Sequence, residues 1–70
     1  MIQRLKSLTE REREILSLLA TGESSKALAY RIGVRPRTVQ KHLQRIYAKL
    51  GVAGRTAAAL VAVRIVIKAE

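Results

Sequence analysis

The chain has 70 residues and a formal net charge of +9, from 14 Lys and Arg against 5 Asp and Glu. It contains no cysteine, which excludes disulfide bonds and thiolate metal sites. The length suits a single domain, 1–70, in which residues 1–7 form an N-terminal arm or linker. A chain of this size buries only about 60% of its surface on folding, so it needs a closely packed aliphatic core.

The positive charge lies mainly in the later part of the chain. Residues 24–69 contain no Asp or Glu but carry ten Lys and Arg. Such a field indicates a polyanionic partner: DNA, RNA or an anionic membrane. The longest apolar run, 57–63, is far shorter than the roughly 20 residues that cross a bilayer, and the first residues lack the apolar stretch of a secretory signal.

A first helix is predicted from 10 to 21. Thr9 and Glu12 have the spacing of a capping box, in which each side chain bonds the other residue's backbone amide. Gly22 suits the position just after the helix end. The predicted buried stripe consists of Ile15, Leu16, Leu19 and Ala20.

Two further helices follow, separated by a short turn. Ser24 or Ser25 caps the second, predicted from 25 to 32, and Gly33 ends it in a left-handed conformation. Pro36 suits the first position of the third, predicted to end at Leu50. The third helix has one apolar stripe, formed by Val39, Leu43, Ile46, Tyr47 and Leu50, opposite a polar, cationic side.

A fourth helix is predicted from about 54–56 to about 68, and it is unusually apolar. Its inner side is expected to be Ala58, Ala59, Ala62 and Val66. Leu60 and Val61 are then expected to be exposed in a monomer. No segment alternates with a period of two residues, so we predict no strands and an all-α fold.

The second and third helices have the spacing of a helix-turn-helix unit. Ala29 is a small residue suited to a helix crossing, Gly33 follows four residues later, and Val34 and Val39 are placed to fix the angle between the helices. A plain helical hairpin in an unrelated bundle is the alternative. The cationic third helix favours the DNA-binding interpretation.

The chain resembles the LuxR-type (GerE-like) DNA-binding domain of bacterial transcriptional regulators from residue 8 to about residue 62. The matching residues are Leu8, Thr9, Arg11, Glu12, Leu16, Gly22, Lys26, Leu28, Ala29, Thr38, Val39, His42, Ile46, Lys49, Leu50, Gly51, Val52, Arg55 and Ala58. The resemblance implies four helices, of which the third reads the major groove and the fourth pairs two subunits.

Five positions depart from the family's usual residues: Arg35, Gln40, Arg45, Gly54 and Ala57. The side chain of Arg35 cannot accept an amide hydrogen bond, so it cannot cap the third helix. The other changes affect the preferred DNA sequence and the start of the fourth helix.

The resemblance implies the base-reading positions, which are Gln40, Lys41, Gln44 and Arg45. A Gln amide can bond adenine through both its groups, and Lys can donate to guanine. A solvated polar face is the alternative, and Arg45 reaches either a base or a phosphate.

Phosphate contacts are predicted for Ser25, Lys26, Arg37, Thr38 and Lys49. Such contacts fix the position of the protein without reading sequence. Thr38 bonding within its own helix and Lys26 in solvent are the alternatives.

Tyr47 is predicted to be a core residue. His42 is interpreted as a core or boundary histidine whose hydrogen bonds are satisfied.

A dimer interface is predicted at Leu60, Val61 and Arg64, with burial against the first helix of the same chain as the alternative. Two subunits would present their third helices to half-sites about 10 base pairs apart in a roughly palindromic site.

The sequence thus predicts sequence-specific binding of double-stranded DNA by a bacterial transcriptional regulator, located in the cytoplasm at the nucleoid. No catalytic or metal site, no cofactor and no small-molecule ligand is expected, because the single His has no Cys or carboxylate cluster beside it. Contact with RNA polymerase is left open, and the resemblance implies that a response-regulator or other sensory domain precedes such a domain. The alternatives are a promoter- and protein-binding module like region 4 of a sigma factor, and an anionic-membrane binder using the last helix.

Overall fold

The computed structural model describes the backbone of residues 6–69 and the side chains of residues 6–64. Four helices lie wholly within this part of the chain, which contains no strand: α1 Glu10–Leu19, α2 Ser25–Ile32, α3 Pro36–Leu50 and α4 Arg55–Ala69. The all-α prediction is confirmed. Most of the predicted arm, 1–7, and the side chain of Val66 lie outside the described residues.

The start of α1 is the predicted capping box. The Thr9 hydroxyl accepts from the Glu12 amide at 3.1 Å, and the Glu12 carboxylate accepts from the Thr9 amide at 2.9 Å. The helix ends two residues earlier than predicted. Its last turn tightens, because the Thr21 amide donates to the Leu18 carbonyl at 3.1 Å, a bond across three residues rather than four.

The turn between α2 and α3 is built as the sequence predicts. The Ser24 hydroxyl caps α2 by accepting from the Ala27 amide at 3.1 Å. Gly33 ends it with φ of +75°, and the Val34 amide then donates back to the Ala29 carbonyl at 2.9 Å. Arg35 makes no side-chain cap, and Pro36 takes the first position of α3.

The core is arranged around α3, which packs against each of the other three helices, while α1 also packs on α4. Val39 and Ile46 of α3 are completely buried, as are Ile15 of α1 and Leu28 of α2. All four helices therefore contribute to one core. Its members are Leu8, Ile15, Leu16, Leu19, Leu28, Ala29, Val39, Leu43, Ile46, Leu50, Ala58, Val61 and Ala62.

The orientation of α4 differs from the prediction. Ala58 and Ala62 are buried as expected, but Val61 is only 8% exposed and belongs to the core, whereas Ala59 is half-buried. The expectation that Val61 is exposed was wrong, because turning the larger Val61 inward removes more apolar surface from water than turning Ala59 inward. Leu60 remains 63% exposed.

No single helix among the described residues is long and apolar enough to cross a membrane. Pro36–Leu50 and Arg55–Arg64 reach that length and apolarity only as a pair, which is bent by 70°.

Candidate nucleic-acid interface

One side of α3 is exposed and carries long polar and cationic side chains. We call this surface the reading face; it consists of Arg37, Gln40, Lys41, Gln44 and Arg45, all exposed. Their spacing of three or four residues places them on one side of a helix whose opposite side is fixed in the core. Within residues 6–64, no other side chain forms a hydrogen bond or ion pair with them, so they are available to a ligand.

The four base-reading candidates therefore lie together as predicted. Gln40 and Gln44 are separated by one helical turn, and so are Lys41 and Arg45. This arrangement gives one row of amides beside one row of cations along the exposed side of the helix. Amide and cationic donors are the groups that read base edges in the major groove.

A shallow cleft of about 200 Å³ lies where α2, α3 and α4 meet. Its lining is Ser25, Gln40, Leu43, Gln44, Tyr47 and Arg55. The cleft brings the phosphate candidate Ser25 next to the two glutamines of the reading face. Lys26, the next residue of α2, is exposed and makes no described ion pair.

Arg55 also lines this cleft, although it was not among the residues predicted to contact DNA. Its Nη1 donates to the Ser25 hydroxyl oxygen at 3.1 Å, and its Nη2 is buried without a hydrogen-bond partner in the described residues. A cation in the first turn of α4 opposes the helix dipole, and this unfavourable placement is the sequence signal that could have singled out Arg55.

Lys49 lies in the last turn of α3, and its ammonium is engaged inside the protein. Its Nζ donates to the Glu12 carboxylate at 2.6 Å, and the Glu12 residue is only 3% exposed. Burial opposes ionisation of Glu12, but hydrogen bonds from Lys49 and the Thr9 amide, with the Lys49 charge, outweigh it and hold the Glu12 pKa below its ordinary value of 4.5. This pairing argues against the predicted phosphate contact by Lys49.

Three of the described carboxylates pair with cations outside the reading face. Glu23 pairs with Arg31 on α2, and Glu14 pairs with Arg11 at 3.6 Å on α1. With Glu12 bound by Lys49, three of the carboxylates neutralise cations outside the reading face. Within residues 6–64, no group of three or more His, Asp or Glu is arranged so that it could hold a metal ion.

Three further residues of α3 are half-buried: Thr38, His42 and Tyr47. Tyr47 packs against the core as predicted, and Thr38 lies beside the exposed Arg37. His42 has a boundary position, but its Nδ1 is buried without a partner among the described residues. The prediction that all of its hydrogen bonds are satisfied was therefore wrong, because no described side chain or backbone group bonds that nitrogen.

A second exposed surface lies on α4. Leu60 is 63% and Val63 is 39% exposed, and Arg64 is exposed beside them. We call these three residues the α4 patch. It contains two of the three predicted interface residues, with Val63 in place of the buried Val61.

Known proteins that are similar to this chain are bacterial transcriptional regulators, which agrees with its all-α fold and its reading face. A family model described as "Bacterial regulatory proteins, luxR family" matches residues 6–62. "Probable transcriptional regulatory protein NarL" of Mycobacterium tuberculosis is 49% identical over 81% of this chain and 26% of the relative. "Probable transcriptional regulatory protein SgaR" of Hyphomicrobium methylovorum is 48% identical over 77% of this chain and 26% of its own length.

A third relative, "Uncharacterized transcriptional regulatory protein YhcZ" of Bacillus subtilis, is 41% identical over 90% of this chain and 29% of its length. The chain thus spans less than a third of the length of these relatives. The match covers all of α1, α2 and α3 and the first half of α4. The chain therefore belongs to the luxR family of bacterial regulatory proteins.

Proposed function

We propose that this domain binds double-stranded DNA in a sequence-dependent manner and regulates transcription in the bacterial cytoplasm, at the nucleoid. The observation that carries the proposal is the reading face. It offers five long polar or cationic side chains, without protein partners in the described residues, on a helix whose other side is fixed by the core. An α-helix with that surface fits the B-DNA major groove.

We assign the base contacts to Gln40, Lys41 and Gln44, and Arg45 reaches either a base or a phosphate. The two Gln amides can each offer one donor and one acceptor, which match the exposed edge of adenine. Lys41 offers only donors, which match the two acceptors of guanine. We therefore expect the preferred DNA site to contain both adenine and guanine.

We assign phosphate binding to residues at the starts of α2 and α3, beside or at the edge of the reading face. Lys26 and Arg37 are exposed cations, and Ser25 and Thr38 supply half-buried hydroxyls. These contacts hold the domain on either strand irrespective of sequence. Lys49 is left out because it is bound to Glu12.

Pairing of two copies belongs to the α4 patch. Leu60 and Val63 are large apolar side chains that the described core leaves exposed, and the cation Arg64 borders them. Covering them in a second copy would remove this apolar surface from water. A two-fold pair would then present two reading faces to two half-sites.

The test is a selection of duplexes from a random library with the 70-residue chain, followed by binding titrations of a selected and a random duplex. Gln44→Ala should lose about 1–3 kcal/mol of discrimination between the two, because one base contact is removed without a change of charge. Lys41→Ala should lose similar discrimination and some affinity for both duplexes. Lys6→Ala, a matched removal of an exposed lysine outside the reading face, should keep the discrimination.

Equal affinity of the unaltered chain for every duplex would contradict the proposal. Binding to purified RNA polymerase in the absence of DNA, without any selection of duplexes, would favour the sigma-like alternative.

A further inference from the structure

We propose that Arg55 positions the Ser25 hydroxyl for a DNA phosphate at the cleft beside the reading face, and that its charge completes this phosphate site. The inference rests on the proposed DNA binding and adds a residue of α4 to it. Arg55 acts through Ser25, so it is a positioning residue.

The hydrogen bond between the two side chains fixes the direction of the serine. Arg55 Nη1 donates to Ser25 Oγ at 3.1 Å, so one lone pair of that oxygen is occupied by the protein. The hydroxyl proton remains free to donate away from Arg55. Since Ser25 lines the cleft together with Gln40 and Gln44, this donor borders the groove-facing side of α3.

The charge of Arg55 has no carboxylate partner in the described part of the chain. Glu12, Glu14 and Glu23 pair with other cations, and Glu10 lies at the start of α1. Arg55 is nevertheless half-buried, and its Nη2 is cut off from solvent without a partner.

Holding part of a guanidinium away from water is costly unless a negative charge or an acceptor compensates it. The described protein supplies neither beyond Ser25. A phosphate at the Ser25 hydroxyl would supply the missing negative charge, since it would lie one side chain away from the guanidinium. DNA provides such a phosphate at regular spacing along the groove edge.

The experiment measures affinity at several KCl concentrations for a duplex selected by the unaltered chain and for a random duplex of equal length. Arg55→Gln should reduce the slope of log affinity against log salt by about 0.9, because it removes one positive charge that neutralises a phosphate at Ser25. It should weaken binding to both duplexes about tenfold at low salt and leave their ratio unchanged. Arg55→Lys should keep the salt slope and lose part of the affinity.

A double-mutant cycle tests whether Arg55 acts through Ser25. In the Ser25→Ala background, Arg55→Gln should weaken binding clearly less than it does in the unaltered chain. Arg11→Gln is the control, because Arg11 lies on α1 and pairs with Glu14. It should change neither the slope nor the cycle.

Several outcomes overturn the inference. If Arg55→Gln lowers the thermal midpoint but keeps the slope of the unaltered chain, Arg55 is only structural. If Arg55→Gln does not fold, the Arg55→Lys and Ser25→Ala cycle replaces it, and independent effects of the two changes reject the inference.

Failure of the proposed function is a separate result. It is seen when the unaltered chain binds no duplex, in which case both proposals fall. If the unaltered chain binds and Gln44→Ala loses discrimination while Arg55→Gln keeps the salt slope, only the role of Arg55 is rejected.

Discussion

Glu12 makes two structural interactions, so its protonation should change the stability of the protein. It closes the capping box of α1 and binds Lys49 at the end of α3, 37 positions away. Its pKa in the folded chain lies below 4.5, so its stabilising contribution is fully present above the pKa of the unfolded chain. That contribution is lost as the pH falls through the lower, folded pKa.

We therefore expect the free energy of unfolding to fall on acidification below about pH 4.5. Glu12→Gln should cost about 1–2 kcal/mol at pH 7, a discounted value because Lys49 keeps partial access to water, and it should flatten the acid dependence. Chemical denaturation between pH 3 and 7 measures both quantities. Glu14→Gln, an exposed carboxylate on the same helix, should do neither, and an unchanged acid dependence in Glu12→Gln would contradict this account.

At the residue scale, local patterns could be predicted and distant partners could not. The Thr9–Glu12 box spans three residues, so its geometry follows from the helix itself. The pairing of Lys49 with Glu12 depends on how α1 and α3 pack, and no pattern within the sequence encodes that distance. The same holds for Arg55 and Ser25, which are 30 positions apart.

Among the helices, α3 and α4 differ in how well the sequence indicates their orientation. The reading-face residues of α3 lie on one side, opposite the buried Val39, Leu43, Ile46 and Leu50, so its buried and exposed sides were predicted correctly. α4 has apolar residues all round between Ala57 and Val63. The sequence pattern therefore does not decide whether Ala59 or Val61 is buried. Packing decides it, and burial of the larger side chain is favoured.

The turn that joins α2 to α3 gives a prediction about one glycine. Gly33 has φ of +75°, and a Cβ added there meets no atom within 4 Å. Gly33→Ala should therefore cost about 1–2 kcal/mol from the left-handed conformation alone, without a steric clash.

Gly54 is the matched control for this substitution. A Cβ there also meets nothing within 4 Å, but its φ is outside the left-handed region. Gly54→Ala should be close to neutral, since Ala is less favourable than Gly directly before a helix but also reduces the freedom of the unfolded chain. Thermal or urea unfolding of both variants measures the difference, and equal effects would show that the turn does not require a left-handed residue.

For the whole molecule, the proposed tasks are divided between two surfaces on adjoining helices. The reading face lies on α3 and the α4 patch lies beyond the 70° bend that separates the two helices. Because both helices share one core, a pair of copies joined through α4 would hold two α3 helices at a fixed separation. Spacing of half-sites on the DNA then becomes a property of the protein pair.

Substitution of Leu60 tests whether DNA binding and the pairing of two copies use separate surfaces. Because Leu60 is 63% exposed, Leu60→Gln should leave the stability of the single chain nearly unchanged. It should weaken binding to a duplex with two half-sites about 10 base pairs apart by about tenfold or more, since burying one leucine is worth about 1.5–3 kcal/mol. Binding to a single half-site should not change.

Tyr30→Gln, which alters another exposed large side chain on α2, should affect neither duplex. Equal weakening on single and paired half-sites would place Leu60 in direct DNA binding, and no weakening on either would remove α4 from the pairing of subunits.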